Sequence, residues 1–391
     1  MRLILLALCA IAVQCQVASA QTADRQDDIA KEAAADLRGN RFYNKPGATR
    51  AQFDADWQKC RLIARGVSPP SGTVRYDFSA DASAQPQWGV GDRFVAMVFI
   101  GLSEGERRRL NRDSCLLVKG WRRIEAPVTQ VKRIAAMSDA QRSAYFDSIV
   151  GADQVEGVVT ERTSFALAPD PALAFDMPAS APRTIVLDGA ADAVARLTLA
   201  PGEGAVVLSF RRPVTASNGR AARIDVARYD PASRDLVYQP RNWKKAGDKT
   251  TYAARVQSTD PKAPYEVHVL RLSPGDYVLT AYEIGPGMAF GEFCLGAPTF
   301  HVGEGETVYL GDFVPLWAAR LSTGKRIMAL AWTPRLEETR AALTAAQPAL
   351  ATALKPATLH DRATYGCTPM VGVDRWDLAD VEDLPEVGQA R

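Results

Sequence analysis

Residues Leu270–Ala281 read LRLSPGDYVLTA, two short runs of alternating apolar and polar residues separated by Ser273-Pro274-Gly275. Proline presets φ at the first central position of a turn, and glycine accepts positive φ at the next. The stretch therefore reads as one strand ending at Leu272, a tight turn, and a second strand beginning near Tyr277.

The same pattern extends outward. From Arg183 the chain is a succession of short runs rich in Val, Leu, Tyr and Thr: RTIVLDG, VARLTLAPGEGAVVLSFRRP, ARIDVARYD, RDLVYQP, TYAARVQSTD, PTFHVGEGETVYLGDFVPL and RIMALAW. Turn residues punctuate them, which predicts an antiparallel β-sandwich over residues 183–332. Beyond it, Thr333-Pro334 reads as a helix cap followed by proline at the first helical position. The helical period then runs until Pro348 interrupts it, and residues 333–391 form a C-terminal helix and tail. Acidic residues Asp374, Asp377, Asp380, Glu382 and Asp383 mark that tail, without the twelve-residue loop and central glycine of a calcium site.

Upstream the character is helical. In Arg41–Gly66, Thr49 caps a helix whose Phe53, Trp57, Cys60 and Ala64 share one face. Phe94–Ile100 is a buried strand or helical turn, Glu104–Leu117 a helix carrying Cys115, and Asp139–Ile149 a helix capped by Ser138. Residues 41–151 thus read as a small α-rich domain. A polar leader, 21–40, precedes it, and a Pro/Ala-rich connector, 152–182, follows. The fold class expected is α+β.

Met1–Ala20 has one basic residue, an apolar run from Leu3 to Val13 and Ala18-Ser19-Ala20 before Gln21. That is the pattern of a secretory signal peptide, cleaved after Ala20. The apolar run is too short to span about 30 Å of hydrocarbon, and no later stretch approaches that length, so no transmembrane segment is expected after signal removal. Leu8 and Gln14, which precede Cys9 and Cys15, are not the small residues of a lipoprotein signal.

The remaining cysteines, Cys60, Cys115, Cys294 and Cys367, are an even set in a chain bound for an oxidising compartment, and read as disulfides. Three pairings are open; with two compact units, Cys60–Cys115 and Cys294–Cys367 is the economical one. No CxxC pair or histidine at ligand spacing supports zinc instead. The near-balanced charge, +2, gives no electrostatic case for nucleic acid.

Two stretches resemble known families. FYNKPGATRAQFDADWQKCR (Phe42–Arg61) with SCLLVKGWRR (Ser114–Arg123) is similar to a pattern of uncharacterised exported proteobacterial proteins. YEVHVLRLSPGDYVLTAY (Tyr265–Tyr282) with FHVGEGETVYLGDF (Phe300–Phe313) resembles the β-sandwich domains of bacterial envelope proteins, whose L-P-P-G-x-Y turn has its first proline replaced here by Ser273. The resemblance implies a sandwich fold and an envelope location, and brings no catalytic residues.

Motifs for chemistry are sparse. Of three histidines, His268 and His301 lie in strand runs and read as ordinary strand residues; His360 is followed by Asp361, but no G-x-S-x-G serine completes a triad. Ser322–Lys325 (STGK) matches S-x-x-K, although Gly324 spoils the required helix. No phosphate-cradling glycine motif follows a strand, so no cofactor is expected. The glycine-rich loop Glu283–Phe293 offers Gly285, Gly287, Met288 and Phe290 as a binding loop, or is a connection pinned by Cys294. Glu283, Glu292, Glu304 and Glu306 cluster near strand ends, and Trp243, Tyr252, Tyr265, Tyr282 and Tyr309 either line a ligand face or pack sheets. The leading expectation is a periplasmic or secreted, non-catalytic binding or scaffold module whose partner is another envelope protein or polymer. The alternatives are a hydrolase with a site dispersed over Gly285–Phe293 and His360–Asp361, and a secreted structural protein.

Overall fold

A computed structural model describes residues 28–63, 70–74, 109, 111–160, 183–188, 190–191, 196–212, 221–260, 262–284, 289–292, 294–320 and 326–365. The signal and leader expectations up to residue 27, the connector beyond 160, STGK and the acidic tail lie outside them. The fold is mixed α+β, with seven helices and both antiparallel and mixed sheets among the described residues. The chain divides into two compact units, one of Met1–Arg61 with Leu116–Arg162 and one of Leu62–Cys115 with Thr163–Arg391.

This division differs from a contiguous domain over 41–151. The chain leaves the first unit after Arg61 and returns at Leu116, and within the excursion β2 (Thr73–Val74) pairs with β10 (Gln239–Pro240) of the second unit's own chain. Cys60 and Cys115 are disulfide-bonded, which closes the excursion at its base. Cys294 is disulfide-bonded too, while Cys367 lies outside the described residues.

The first unit contains α1 (28–38), α2 (Arg50–Ile63), α4 (Val128–Ala136) and α5 (Asp139–Ile149), with α3 (111–118) entering it at Leu116. Its sheet is β1 (Phe42–Asn44), β3 (Arg122–Glu125) and β4 (Val158–Thr160), all antiparallel. Local chemistry sets the helix starts. Thr49 and Gln52 exchange side-chain and backbone hydrogen bonds at α2, and Ser138 and Gln141 do so at α5, two reciprocal caps that satisfy amides left open by the first turn. Phe53, Trp57 and Cys60 are buried on one face of α2, as their spacing predicts, and Phe53 packs edge-on to Trp121 and Phe146. The two buried indoles donate to Asp36 (Trp57, 3.0 Å) and Asp56 (Trp121, 2.9 Å).

The second unit holds two seven-stranded sheets. One runs β11 (Ala253–Gln257), β8 (Ala222–Asp230), β13 (Gly275–Ile284), β15 (Leu295–Val302), β19 (His360–Thr364), with β14 (Ala289–Glu292) on β13 and β9 (Asp235–Leu236) on β8. The other runs β17 (Arg326–Thr333), β16 (Thr307–Arg320), β7 (Gly204–Arg211), β12 (Tyr265–Leu272), β5 (Arg183–Leu187), β6 (Ala190–Ala191), with β18 (Leu354–Pro356) on β16. Strands fall on the runs the sequence marks, except that 196–200 of the run VARLTLAPGEGAVVLSFRRP are not strand and β7 begins only at Gly204; β12–β5, β16–β7 and β16–β18 are parallel, so the second sheet is mixed rather than antiparallel. Period-2 alternation is the same in either direction, which is why strand polarity escapes a sequence reading.

Val206, Leu208 and Phe210 of β7 share one hydrophobic cluster with Ile224 of β8, Leu279 of β13 and Phe300 of β15. The alternate residues Ala205 and Val207 join Val267 and Val269 of β12 and, from α6 (Leu336–Thr344) and α7 (Pro348–Ala353), Leu343 and Leu350. Strand β7 is buried along its whole length because apolar layers cover both faces. A polar pin fixes α6: Asp312, fully buried, accepts from Arg211 (2.7 Å), Tyr309 (2.6 Å) and Thr339 (3.2 Å), and Arg211 reaches Glu338 at 2.8 Å. Burial pushes the Asp312 carboxyl above its usual range, against the pull of Arg211, and pushes the Tyr309 phenol up as well. The cap expected at Thr333 is absent: Thr333 ends β17, and α6 starts after Arg335, without a side-chain cap. Pro348 opens α7, as an interruption of the helical period requires.

The opening stretch behaves differently from a hairpin. Strand β12 ends at Leu272 and β13 begins at Gly275, but the two belong to different sheets, so Ser273-Pro274 is a corner between layers. Arg228 of β8 holds it, donating to the Pro274 carbonyl (2.7 Å) and the Ser273 hydroxyl (2.9 Å), while the Tyr277 hydroxyl donates to the Ser273 carbonyl (2.6 Å). Gly275 has φ +150, and a Cβ there would lie 2.4 Å from the Arg228 Nη2, so the glycine makes room for the guanidinium.

Candidate ligand-binding groove

A cavity of about 660 Å³ lies in the second unit, within the size range of small-molecule sites. Side-chain alternation builds one wall. On β13, Tyr277 is fully buried and stacks on Phe300 of β15, so Asp276 and His301, their chain neighbours and register partners of each other, face the opposite way. Asp276 Oδ1 and His301 Nδ1 are 2.9 Å apart, with side chains 40% and 62% exposed, open to a solute. Thr299, two residues from His301, stands on the same face and pairs in register with His360 of β19, which also lines the cavity.

The second wall comes from Glu306 and from Lys355 and Pro356 of β18. Glu306 ends the turn between β15 and β16; it accepts from Lys355 (2.5 Å) and from the Gly303 amide (2.9 Å). Those hydrogen bonds, Lys355 first, hold its carboxyl below the usual range. The rim is the turn Pro231–Arg234 between β8 and β9. Asp230 anchors this turn by accepting from the Ala232 amide (3.0 Å), and Arg234 sits at φ +51, a conformation L-residues seldom adopt. Arg234 makes no ion pair or hydrogen bond among the described residues.

The groove thus contains two internal pairs, Asp276–His301 and Glu306–Lys355, plus one unpaired guanidinium. Both carboxylates are engaged by protein donors. What remains open is mostly donor capacity, since an ammonium has three N–H groups and a guanidinium five.

Sequence-predicted residues distribute unevenly around this site. His301 and His360 line it; His301 is a residue of strand β15, as the sequence reads, and it is exposed and hydrogen-bonded to Asp276. His268 is buried against Phe210 and beside Glu266, away from the groove lining. Asp361 follows His360 on β19 and registers with Pro298, as His360 does with Thr299. Of the four glutamates Glu306 lines the cavity; Glu304 accepts from the Gly202 amide (2.8 Å), Glu283 pairs with Arg223, and Glu292 lies on β14. The five aromatic residues do not form one ligand face. Tyr265 bonds Thr339, Tyr309 bonds Asp312, Tyr282 packs on the inter-sheet cluster, Tyr252 donates to Asp248 and Trp243 carries Lys244. Gly285, Gly287 and Met288 lie outside the described residues; Phe290 lies on β14 opposite Glu283.

Asp276, Arg234 and Lys355 are absent from the sequence expectation. Asp276 had a signal, since it follows the Pro-Gly corner and precedes a core tyrosine; Arg234 and Lys355 had none. No family model matches the chain, and no curated protein matches it. Among the described residues no helix is long and apolar enough to cross a membrane, and no cluster of three or more His, Cys, Asp or Glu has the makings of a metal site.

Proposed function

We propose that this is an exported, envelope-associated binding protein in which a β-sandwich with C-terminal helices presents the groove to a ligand or to a segment of an envelope partner. The observation that carries the reading is the pre-formed cavity whose two carboxylates are held by internal partners, so that its polar groups are fixed before a ligand arrives. The signal-peptide pattern of Met1–Ala20, the disulfides and the resemblance to exported envelope proteins support the location. N-terminal sequencing of the native protein is expected to begin at Gln21. A photo-crosslinking residue at Thr358, inside the groove, is expected to capture one recurring species that is lost in an Ala357→Trp variant and never captured from Glu337 on α6. Equal capture from both positions would refute the groove as the binding face.

A second reading is hydrolysis, favoured by one observation, the Asp276–His301 pair at 2.9 Å. A carboxylate that orients an imidazole is the arrangement of a general base acting on water. A screen of ester and amide substrates with wild type and His301→Ala decides it: turnover that vanishes in the variant establishes hydrolysis, and no turnover in wild type removes it.

A further inference from the structure

We infer that the ligand of this groove presents an oxyanion, a carboxylate or a phosphate, to Arg234. The inference rests on the binding reading above and adds the chemical class. Each acidic side chain lining the cavity is already held by a neighbour: Asp276 faces His301 Nδ1, and Glu306 receives both Lys355 Nζ and the Gly303 amide. A cationic ligand would have to displace these partners. An acceptor-rich ligand displaces nothing, because Lys355 keeps N–H capacity beyond its single bond to Glu306, and the Arg234 guanidinium keeps all of its own.

Position reinforces the chemistry. Arg234 stands at the rim on a four-residue turn whose flanking strands pair at Tyr229–Leu236 and Asp230–Asp235. The turn is also tied by the Asp230 side chain and by the Val237 amide donating to the Arg228 carbonyl (2.9 Å). Its base is therefore rigid while its guanidinium is exposed. A planar fork in that setting matches the two oxygens of a carboxylate or phosphate, and its fixed geometry lowers the freedom lost per hydrogen bond formed. The rest of the lining supplies hydroxyls from Thr299, Thr358 and Thr364 and apolar surface from Val308 and Pro356, suited to a short body behind the charged group.

The chain carries its own reporters, since it has three histidines, of which His301 and His360 line the groove and His268 is 3% exposed in the core. The full-length mature protein, labelled with carbon-13 in its histidine rings, is titrated with inorganic phosphate, with succinate and with succinamide, the neutral counterpart of succinate. Sodium chloride at matched ionic strength is the reference. The expected result is a saturable shift of the His301 and His360 resonances with phosphate or succinate, none with succinamide, and an unmoved His268. Whichever anion binds tighter identifies the source as phosphate or carboxylate. Arg234→Gln is expected to weaken that binding about tenfold to a hundredfold, the worth of a charge-assisted hydrogen bond, and Lys244→Gln, on an exposed turn outside the groove, to leave it unchanged. Equal shifts with succinamide would overturn the oxyanion assignment while leaving the groove as a binding site. Absence of any anion response, a response matched by chloride, or unchanged affinity in Arg234→Gln would overturn it as well, and the crosslinking from Thr358 would then stand or fall by itself.

Discussion

Replacing Gly275 with alanine tests the corner at the start of β13. The new Cβ would lie 2.4 Å from Arg228 Nη2 and 2.7 Å from its Cζ, so the guanidinium must leave. Its departure breaks the bonds to the Pro274 carbonyl and the Ser273 hydroxyl. Hydrogen bonds from a charged donor are worth about 1.5–3 kcal/mol each, discounted here because Arg228 is only half-buried and water replaces part of the loss. Holding alanine at φ +150 adds about 1–3 kcal/mol. The sum for Gly275→Ala is on the order of 3 kcal/mol. Arg228→Ala alone removes the same hydrogen bonds at about 2 kcal/mol, and in that background the glycine change retains only its backbone component. The double variant is therefore expected to be less destabilised than the sum of the singles, by on the order of 2 kcal/mol. Hydrogen exchange of β12 and β13 peptides, read by mass spectrometry across a denaturant series, measures all four corners of the cycle. Additive losses would refute the argument that the glycine exists to admit the guanidinium.

Burial holds the His268 imidazole neutral, drawing its pKa from 6.5 to about 4. The unfolded chain then binds a proton that the folded chain refuses, so stability is complete above the unfolded pKa and declines as pH falls from about 6.5 to 4, by up to about 3 kcal/mol. His268→Leu is expected to flatten that decline in chemical denaturation at graded pH, and an unchanged slope would contradict it. Removing both Cys60 and Cys115 by alanine substitution opens a long loop and is expected to cost about 4 kcal/mol, measured by denaturation of the first unit's helical signal. Asp312→Asn strips the charge from a carboxylate that is 0% exposed and leaves Arg211 to the half-exposed Glu338. A loss of about 3 kcal/mol is expected, concentrated in exchange at α6, with partial recovery in Arg211→Met/Asp312→Leu.

What the sequence disclosed was set by range. The α5 boundaries and both reciprocal caps follow from residues three positions apart, and the strands of the second unit follow from alternation within single runs. Strand polarity, the sheet to which each strand belongs and the corner at Pro274 depend on partners such as Ala205 and Thr307, which no local pattern encodes. The candidate site was less legible still. Its charged residues come from the β8–β9 turn, β13, β15, the turn before β16, β18 and β19, each contributing one side chain that reads locally as an ordinary surface residue. His301 and Glu306 were visible as residue types near strand ends, but their partners Asp276 and Lys355 were not, because pairing across strands is what made them a site.

The corner between the two sheets also governs the order of events in folding. A hairpin turn is rewarded at once, since the strands it joins pair with each other. Here β12 waits for β7 and β5, and β13 for β8 and β15, so the bend at Ser273-Pro274 gains nothing until distant segments have docked. Chains dominated by such non-local pairing fold in milliseconds to seconds. The Arg228 clasp needs β8 already beside β13, and we expect it to form after the rate-limiting step. On that expectation its free energy falls on the unfolding limb: a loosened corner is expected to shorten the lifetime of the folded unit and to leave its rate of formation nearly unchanged.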